Sequence, residues 1–151
     1  MRLTRAGEYA VRCVLCLARH GRNRLVSKKE IAAQYEIPDQ FLAKIAQKLA
    51  KAGIIEIRQG AQGGYLLRRT PEEISLLEVV ETIIGEISLN ECVTNSAACR
   101  ASDNCAVNRV WIKACKQLRE TLSEVSFQTL LEEDSCFGLP QILDMKDSKN
   151  R

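Results

Sequence analysis

Residues 59–64, Gln59-Gly60-Ala61-Gln62-Gly63-Gly64, lie between two runs of strand-like composition, 54–58 and 65–69, just after a helix-forming stretch that Gly53 can close. Glycines there let the backbone double back, so the two runs read as the arms of one short hairpin. A lone two-stranded hairpin is at best marginally stable in water and has to lie on something else. What precedes it therefore decides the fold.

Three helices are predicted upstream. From Thr4 to about His20, the residues Tyr9, Ala10, Cys13, Val14 and Leu17 recur at helical spacing, with arginines 5, 12 and 19 on other faces. Ser27-Lys28-Lys29-Glu30 has the form of a capping box and predicts a second helix that buries Ile31, Ala32 and Tyr35. Pro38 can open a third helix in a first turn where no amide proton is needed, and Gly53 can end it. On this helix Phe41, Leu42, Ile45 and Leu49 are expected to form a buried stripe, leaving Gln40, Ala43, Lys44, Gln47, Lys48 and Lys51 for the outer surface. A short helix, a tight connection and a second helix with a basic and amide-rich outer face form a helix-turn-helix layout. Lysines can neutralise phosphates, and glutamine amides can pair with base edges. The hairpin adds a wing. As a phosphate-cradling loop its glycines lack both a following Gly-Lys-Ser/Thr and a crossover helix.

The expected fold class is mainly α with a small β-hairpin: a winged helix-turn-helix over residues 1–70, a cysteine-loop and dimerisation region with a long helix over 71–135, and a polar tail over 136–151. The charge divides along the same line. Residues 1–70 carry 14 Lys/Arg against 5 Asp/Glu, a net of +9, and residues 71–151 carry 8 against 14, a net of −6. A basic head on an acidic remainder suggests a polyanion partner for the head alone, the alternative being an unevenly charged solvated surface.

In the second half, Thr70-Pro71-Glu72-Glu73 predicts a helix start or tight turn, and Ser75-Leu76-Leu77-Glu78 a capping box for a helix ending near Gly85. Farther on, Val107, Trp111, Ala114, Leu118, Leu122 and Val125 follow one another at three- and four-residue intervals as a near-heptad seam. Such a seam can pack on its own domain or on a twin. A twin is expected, because a palindromic operator needs two recognition helices about one DNA turn apart. Leu130 and Leu131 are expected to fold back on that dimer.

Between these helices stand Cys92, Cys99 and Cys105. The C-x6-C-x5-C spacing is not the C-x2-C knuckle of structural zinc; it suits a loop around a larger soft-metal cofactor, or else unliganded thiols in a mobile segment. Three thiolates leave a fourth position to fill. Cys13 and Cys16 form a C-x2-C pair inside an apolar helical pattern and are expected in the core, with Cys115 packed beside the seam and Cys136 near the tail. His20 is expected as a helix-terminal or surface residue. Seven cysteines, an odd number, speak against a fully paired disulfide framework. No apolar run approaches the roughly 20 residues of a membrane span, and the first residues lead into charged helical sequence, so a cytoplasmic location without a signal peptide is expected.

Several strings together resemble the IscR/NsrR-type (Rrf) transcriptional regulators: Met1-Arg2-Leu3-Thr4 with Tyr9-Ala10-Val11-Arg12, Ile37-Pro38 through Phe41-Leu42-Ala43-Lys44-Ile45, Leu49-Ala50-Lys51-Ala52-Gly53, Gly60-Ala61-Gln62-Gly63-Gly64-Tyr65, and the cysteine cluster. The resemblance covers roughly residues 1 to 135. It implies a homodimer that binds a palindromic double-stranded DNA operator and holds an iron-sulfur cluster, with [2Fe-2S] preferred over [4Fe-4S]. It implies no enzymatic activity, small-molecule substrate or membrane. The residues expected at the duplex are Arg2, Thr4, Lys28, Gln40, Lys44, Gln47, Lys48, Arg58, Gln59, Gln62 and Tyr65.

The chain departs from the family pattern in three places. Gln59 stands where the family often has an arginine before the wing glycine, with Arg58 one residue earlier. The first cysteine interval holds six residues where five are common, and Asn108 stands where some members have a histidine ligand. Another branch of the family takes an acidic ligand from near the start of the partner's first helix, and Glu8 occupies that position. The expected metal ligands are therefore Cys92, Cys99 and Cys105, with Glu8 from the partner subunit; alternatively Glu8 only complements its helix dipole. Two rivals to a cluster-controlled regulator are an iron-sulfur carrier or redox enzyme, for which no nucleophile–base pair or substrate motif appears, and a cluster-free regulator of the same family controlled by a partner protein or by thiol oxidation.

Overall fold

The computed structural model describes residues 3–133, so Arg2, Cys136 and the expected tail lie outside the described residues. The elements are α1 (Arg5–His20), α2 (Lys28–Tyr35), α3 (Asp39–Lys51), β1 (Ile55–Arg58), β2 (Gly64–Leu67), α4 (Leu76–Ile84), α5 (Glu91–Thr94), α6 (Ala106–Ser123) and α7 (Phe127–Glu132). Single turns of 3-10 helix lie at Pro71–Glu73, Ser96–Ala98 and Ser102–Asn104.

Hydroxyl caps fix four of the helix starts. Thr4 Oγ1 accepts from the Gly7 amide at 3.2 Å, Ser27 Oγ from Glu30 at 3.2 Å, Ser75 Oγ from Glu78 at 3.1 Å and Ser126 Oγ from Thr129 at 3.1 Å. Each such cap contributes about 1 kcal/mol. The return half of the two predicted boxes goes elsewhere: Glu30 faces His20 and Arg24, and Glu78 accepts from Arg69. At the predicted turn after the wing, the Thr70 amide donates to the Glu73 carboxylate at 2.9 Å.

The strands pair antiparallel from Ile55 opposite Leu67 to Arg58 opposite Gly64. Val26 adds one bridge to Tyr65, with N–H···O distances of 2.9 and 2.8 Å. A Cβ at Gly64 would strike the Val26 carbonyl, so this close approach requires glycine. Gly60 opens the turn at φ +108°.

The core lies around α1, which packs on α2, α3, β2, α4 and α7. Cys13 and Cys16 are fully buried in it, as their apolar setting predicted. Burial raises both thiols, Cys16 to about 12 with the nearby Glu30 adding to the effect, so both stay protonated. Leu130 and Leu131 pack partly buried against this same core.

One expectation is corrected: Phe41 is 39 % exposed and sets its ring edge-on to Tyr9, centroids 5.6 Å apart, because α3 turns Leu42, Ile45, Ala46 and Leu49 into the core instead. His20 ends α1, as expected of a helix-terminal residue, with its side chain only 1 % exposed, covered by the packing of α2. The seam of α6 divides: Leu118 and Leu122 pack partly on their own core, while Val107 stands 54 % exposed, and Val110, beside the seam, 60 %. Arg119 ties α6 to α4 through a two-pronged contact with Glu81, Nε to Oε1 at 2.8 Å and Nη2 to Oε2 at 3.2 Å. Among the described residues no helix is long and apolar enough to cross a membrane.

Burial, and then Arg24, lower the His20 pKa from its ordinary 6.5, against the opposing pull of Glu30 at 3.6 Å. The folded state therefore refuses a proton that the unfolded chain accepts. Its stability should be full above the ordinary histidine range and fall as pH drops through 6.5 toward the lower folded value. A His20→Gln variant should show a flatter decline of Tm between about pH 7 and about pH 5 than the parent; equal slopes in thermal melts would remove His20 as the cause.

Candidate nucleic-acid interface and cysteine loop

Helices α2 and α3 are joined through Glu36, which is left-handed at φ 52°, and the buried Ile37. That corner turns Gln40, Lys44 and Gln47, spaced four and three residues apart, into one exposed stripe on α3, opposite its buried face. Lys28 begins α2 half-buried, and the Thr4 hydroxyl is engaged as the α1 cap. Gln59 and Gln62 are exposed at the wing tip, where Arg58 pairs with Glu56 at 2.9 Å. Two expected contacts are placed differently. Tyr65 is 6 % exposed, and burial together with nearby Cys13 and Asp39 raises its hydroxyl pKa. Lys48 sends its ammonium to the Ile83 carbonyl at 3.1 Å, at the negative end of α4.

The cysteine loop runs from α5 to the first turn of α6. Cys92 lies on α5 half-buried, Cys99 is exposed, and Cys105 is the N-cap of α6, its sulfur accepting from the Asn108 amide at 3.4 Å. All three are free thiols. Four bonds that the sequence does not announce fasten the loop. The Ile87 amide donates to Glu81 Oε1 at 3.0 Å, Leu89 N–H to Cys115 Sγ at 3.2 Å, Asn108 Nδ2 to the Cys92 carbonyl at 3.0 Å, and Ser102 Oγ to the Cys99 carbonyl at 2.7 Å. Cys115 is buried, as expected, and acts as an acceptor for the loop's entry. A pairing of one buried amide with a backbone carbonyl sixteen residues away leaves no periodic signal in sequence.

Three free thiols, none fully buried, on a segment without strands fit an iron-sulfur cluster by donor type. Among the described residues, however, no three His, Cys, Asp or Glu side chains converge into a ready cage. Glu8 is exposed on the first turn of α1 and shares an apolar groove of about 380 Å³ with Val11, Val80, Ile84, Leu118 and Leu122. Leu118 is thirteen helical residues beyond Cys105, about 20 Å at 1.5 Å per residue, while Ile87, five residues before Cys92, lines the same groove.

The family model for Rrf2, described as an iron-dependent transcriptional regulator, matches residues 3–133. The chain belongs to the Rrf2 family. Among relatives, the HTH-type transcriptional regulator NsrR of Shouchella clausii is 32% identical over 143 residues, spanning 93% of this chain and 96% of that protein. Of solved structures, IscR of T. potens is 27% identical with a TM-score of 0.68 and 93% of each chain covered. The oxidized form of CymR from Staphylococcus aureus is 26% identical with a TM-score of 0.69, covering 89% of this chain and 99% of that one. As an Rrf2 protein the chain is a DNA-binding transcriptional regulator with a winged-helix fold.

Lys44 and Lys48, one turn apart on this Rrf2 recognition helix, should separate in experiment. Lys44→Ala should reduce the slope of log K against log salt for duplex DNA by about 0.9, as expected for one lost phosphate contact. Lys48→Ala should leave that slope nearly unchanged and lower the Tm. The opposite pattern in a salt titration would return Lys48 to the duplex.

Proposed function

We propose that this Rrf2 protein acts in the cytoplasm as a homodimer on a palindromic operator, and that an iron-sulfur cluster on Cys92, Cys99 and Cys105 sets its affinity. Glu8 of the partner subunit completes the site, and [2Fe-2S] is the preferred nuclearity. Gln40, Lys44 and Gln47 face the major groove, while Thr4, Lys28 and the wing residues Arg58, Gln59 and Gln62 serve the backbone; Arg2 precedes them on the chain. A bound cluster would supply iron that exchanges electrons or reacts with small oxidants.

The observation that carries this reading is the mechanical link from loop to recognition helix. The loop's entry hangs on Glu81 of α4, which Arg119 of α6 also grips. Two residues on, the Ile83 carbonyl accepts from Lys48 of α3. The last turn of α4 therefore touches the loop, the long helix and the reading helix together. A change in loop geometry worth about 1.4 kcal/mol at this joint is enough for a tenfold change in operator affinity.

Exposed Val107 and Val110 support the dimer, since an apolar ridge and an apolar groove on one molecule can be matched by a second copy about a two-fold axis. A second reading rests on Cys99, the exposed member of the three, and on likeness to an oxidized CymR: thiol oxidation, or a partner protein, replaces the cluster as signal.

Iron and sulfide analysis of anaerobically purified protein, paired with DNA binding before and after chelation, separates the two. Stoichiometric iron and sulfide with altered DNA affinity on their loss are expected. Colourless protein whose binding responds to peroxide alone would favour the thiol reading. Glu8→Ala should change the absorption spectrum and shorten the cluster lifetime; an unchanged spectrum and lifetime would remove Glu8 from the site. Val110→Asp should shift sedimentation toward the monomer and weaken operator binding, because it places a charge in the proposed apolar contact.

A further inference from the structure

Of all the described Ser, Thr, Asn, Gln and charged residues, Ser102 and Asn108 are the ones that count as buried, at 9 % and 5 % exposed. Both stand at the cysteine loop, and between them they touch all three cysteines. Ser102 Oγ lies 2.7 Å from the Cys99 carbonyl and 2.9 Å from that of Ser96. Asn108 Nδ2 donates to the Cys92 carbonyl at 3.0 Å, and the Asn108 backbone amide donates to Cys105 Sγ at 3.4 Å. A buried amide left unpaired is destabilising, so its hydrogen bond to Cys92 is held in place by the packing that excludes water around it.

We propose that Asn108 is a positioning residue of the thiol loop: its side chain fastens the Cys92 end to the first turn of α6, the turn that Cys105 caps, while Ser102 secures Cys99 between them. The Cys92 carbonyl can only accept, which requires the amide nitrogen to point at it. Asn108 is thereby committed as a strut and is not a ligand. Its backbone N–H bond to Cys105 is of the kind that persists to a metal-bound sulfur and tunes it. The loop is thus folded before any metal arrives, and the ordering entropy of bringing its ends together is met by protein contacts. The inference deepens the cluster reading, but its first test requires no cluster.

Asn108→Asp keeps the side chain's size, removes the donor and sets an oxygen against the Cys92 carbonyl. In reduced, iron-free, full-length protein, amide exchange over residues 92–95 should accelerate about tenfold and maleimide labelling of Cys92 should rise, with exchange across α1 unchanged. Ser102→Ala should act on the other half, accelerating exchange over residues 99–104. Asn104→Ala, at an exposed loop position, should do neither. Rates at Cys92 equal to the parent's would overturn the proposal, as would an equal acceleration in α1, which would make Asn108 a general packing residue.

After anaerobic reconstitution with iron and sulfide, Asn108→Asp should lose its visible absorption to a chelator about tenfold faster than the parent. Equal lifetimes would overturn the positioning role. A parent protein that takes up no iron would instead sink the cluster reading, and the exchange measurements would still decide the role of Asn108.

Discussion

Helix α1 is buried along most of its length: Ala10, Val11 and every residue from Cys13 to Ala18. An ordinary surface helix hides one stripe, but this one is enclosed by α2, α3 and β2 toward the reading head and by α4 and α7 on the other side. Each large aliphatic side chain in it, such as Leu15 or Leu17, contributes about 1.5–3 kcal/mol on burial. The consequence is architectural. The DNA-reading elements and α4, on which α6 and so the cysteine loop lean, are packed on one shared rod, so a displacement on one side is felt as a packing change on the other. Enclosure also decides the chemistry of Cys13 and Cys16. A thiol must lose its proton to bind a metal or attack a disulfide, and burial holds both protonated.

The two sides of the rod meet at the last turn of α4. Glu81 accepts from Arg119 and from the Ile87 amide, and the Ile83 carbonyl accepts from Lys48. Helix ends have carbonyls without internal partners, and here a lysine from the recognition helix fills one of them. Lysine at this position looks like a phosphate contact in sequence because it stands on a reading helix among glutamines. Its four-carbon stem permits either target, and the neighbouring helix terminus, which no local pattern reveals, supplies the nearer one.

The boundaries were the most legible part of the chain, since they are set by neighbours a few residues apart. Ser27 and Ser75 each cap the helix that their capping boxes announced, and Gly60 turns the wing at the predicted place. Periodicity was less dependable wherever two faces of a helix are both apolar. On α3 it placed Phe41 inside with Leu42, but adjacent residues sit about 100° apart, and the core took Leu42 and Ala46. Tyr65 was misplaced for a related reason: in a strand, side chains alternate faces, and the bridge to Val26 puts this one under the wing. The thiol spacing pointed to the cysteine loop, but not to its supports. Asn108, Ser102 and Cys115 act through carbonyls and amides brought near only by the finished fold.

The place of Glu8 joins two questions that look independent. Within one chain Glu8 shares its groove with Leu118 and Leu122, toward the far end of α6 from Cys105. An oxygen ligand to a metal works at about 2 Å, and among the described residues Glu8 is not gathered with the loop cysteines of its own chain into a site. As proposed, it serves the loop of another copy whose α6 runs the opposite way, as a two-fold axis near the middle of that helix would produce. In that arrangement the exposed Val107 and Val110 of each copy approach the other's groove, beside the other's Glu8. On the proposed reading, completing the site and completing the dimer are then one event. A ligand set divided between subunits makes metal occupancy report on how two reading heads are spaced, the quantity that a palindromic operator measures.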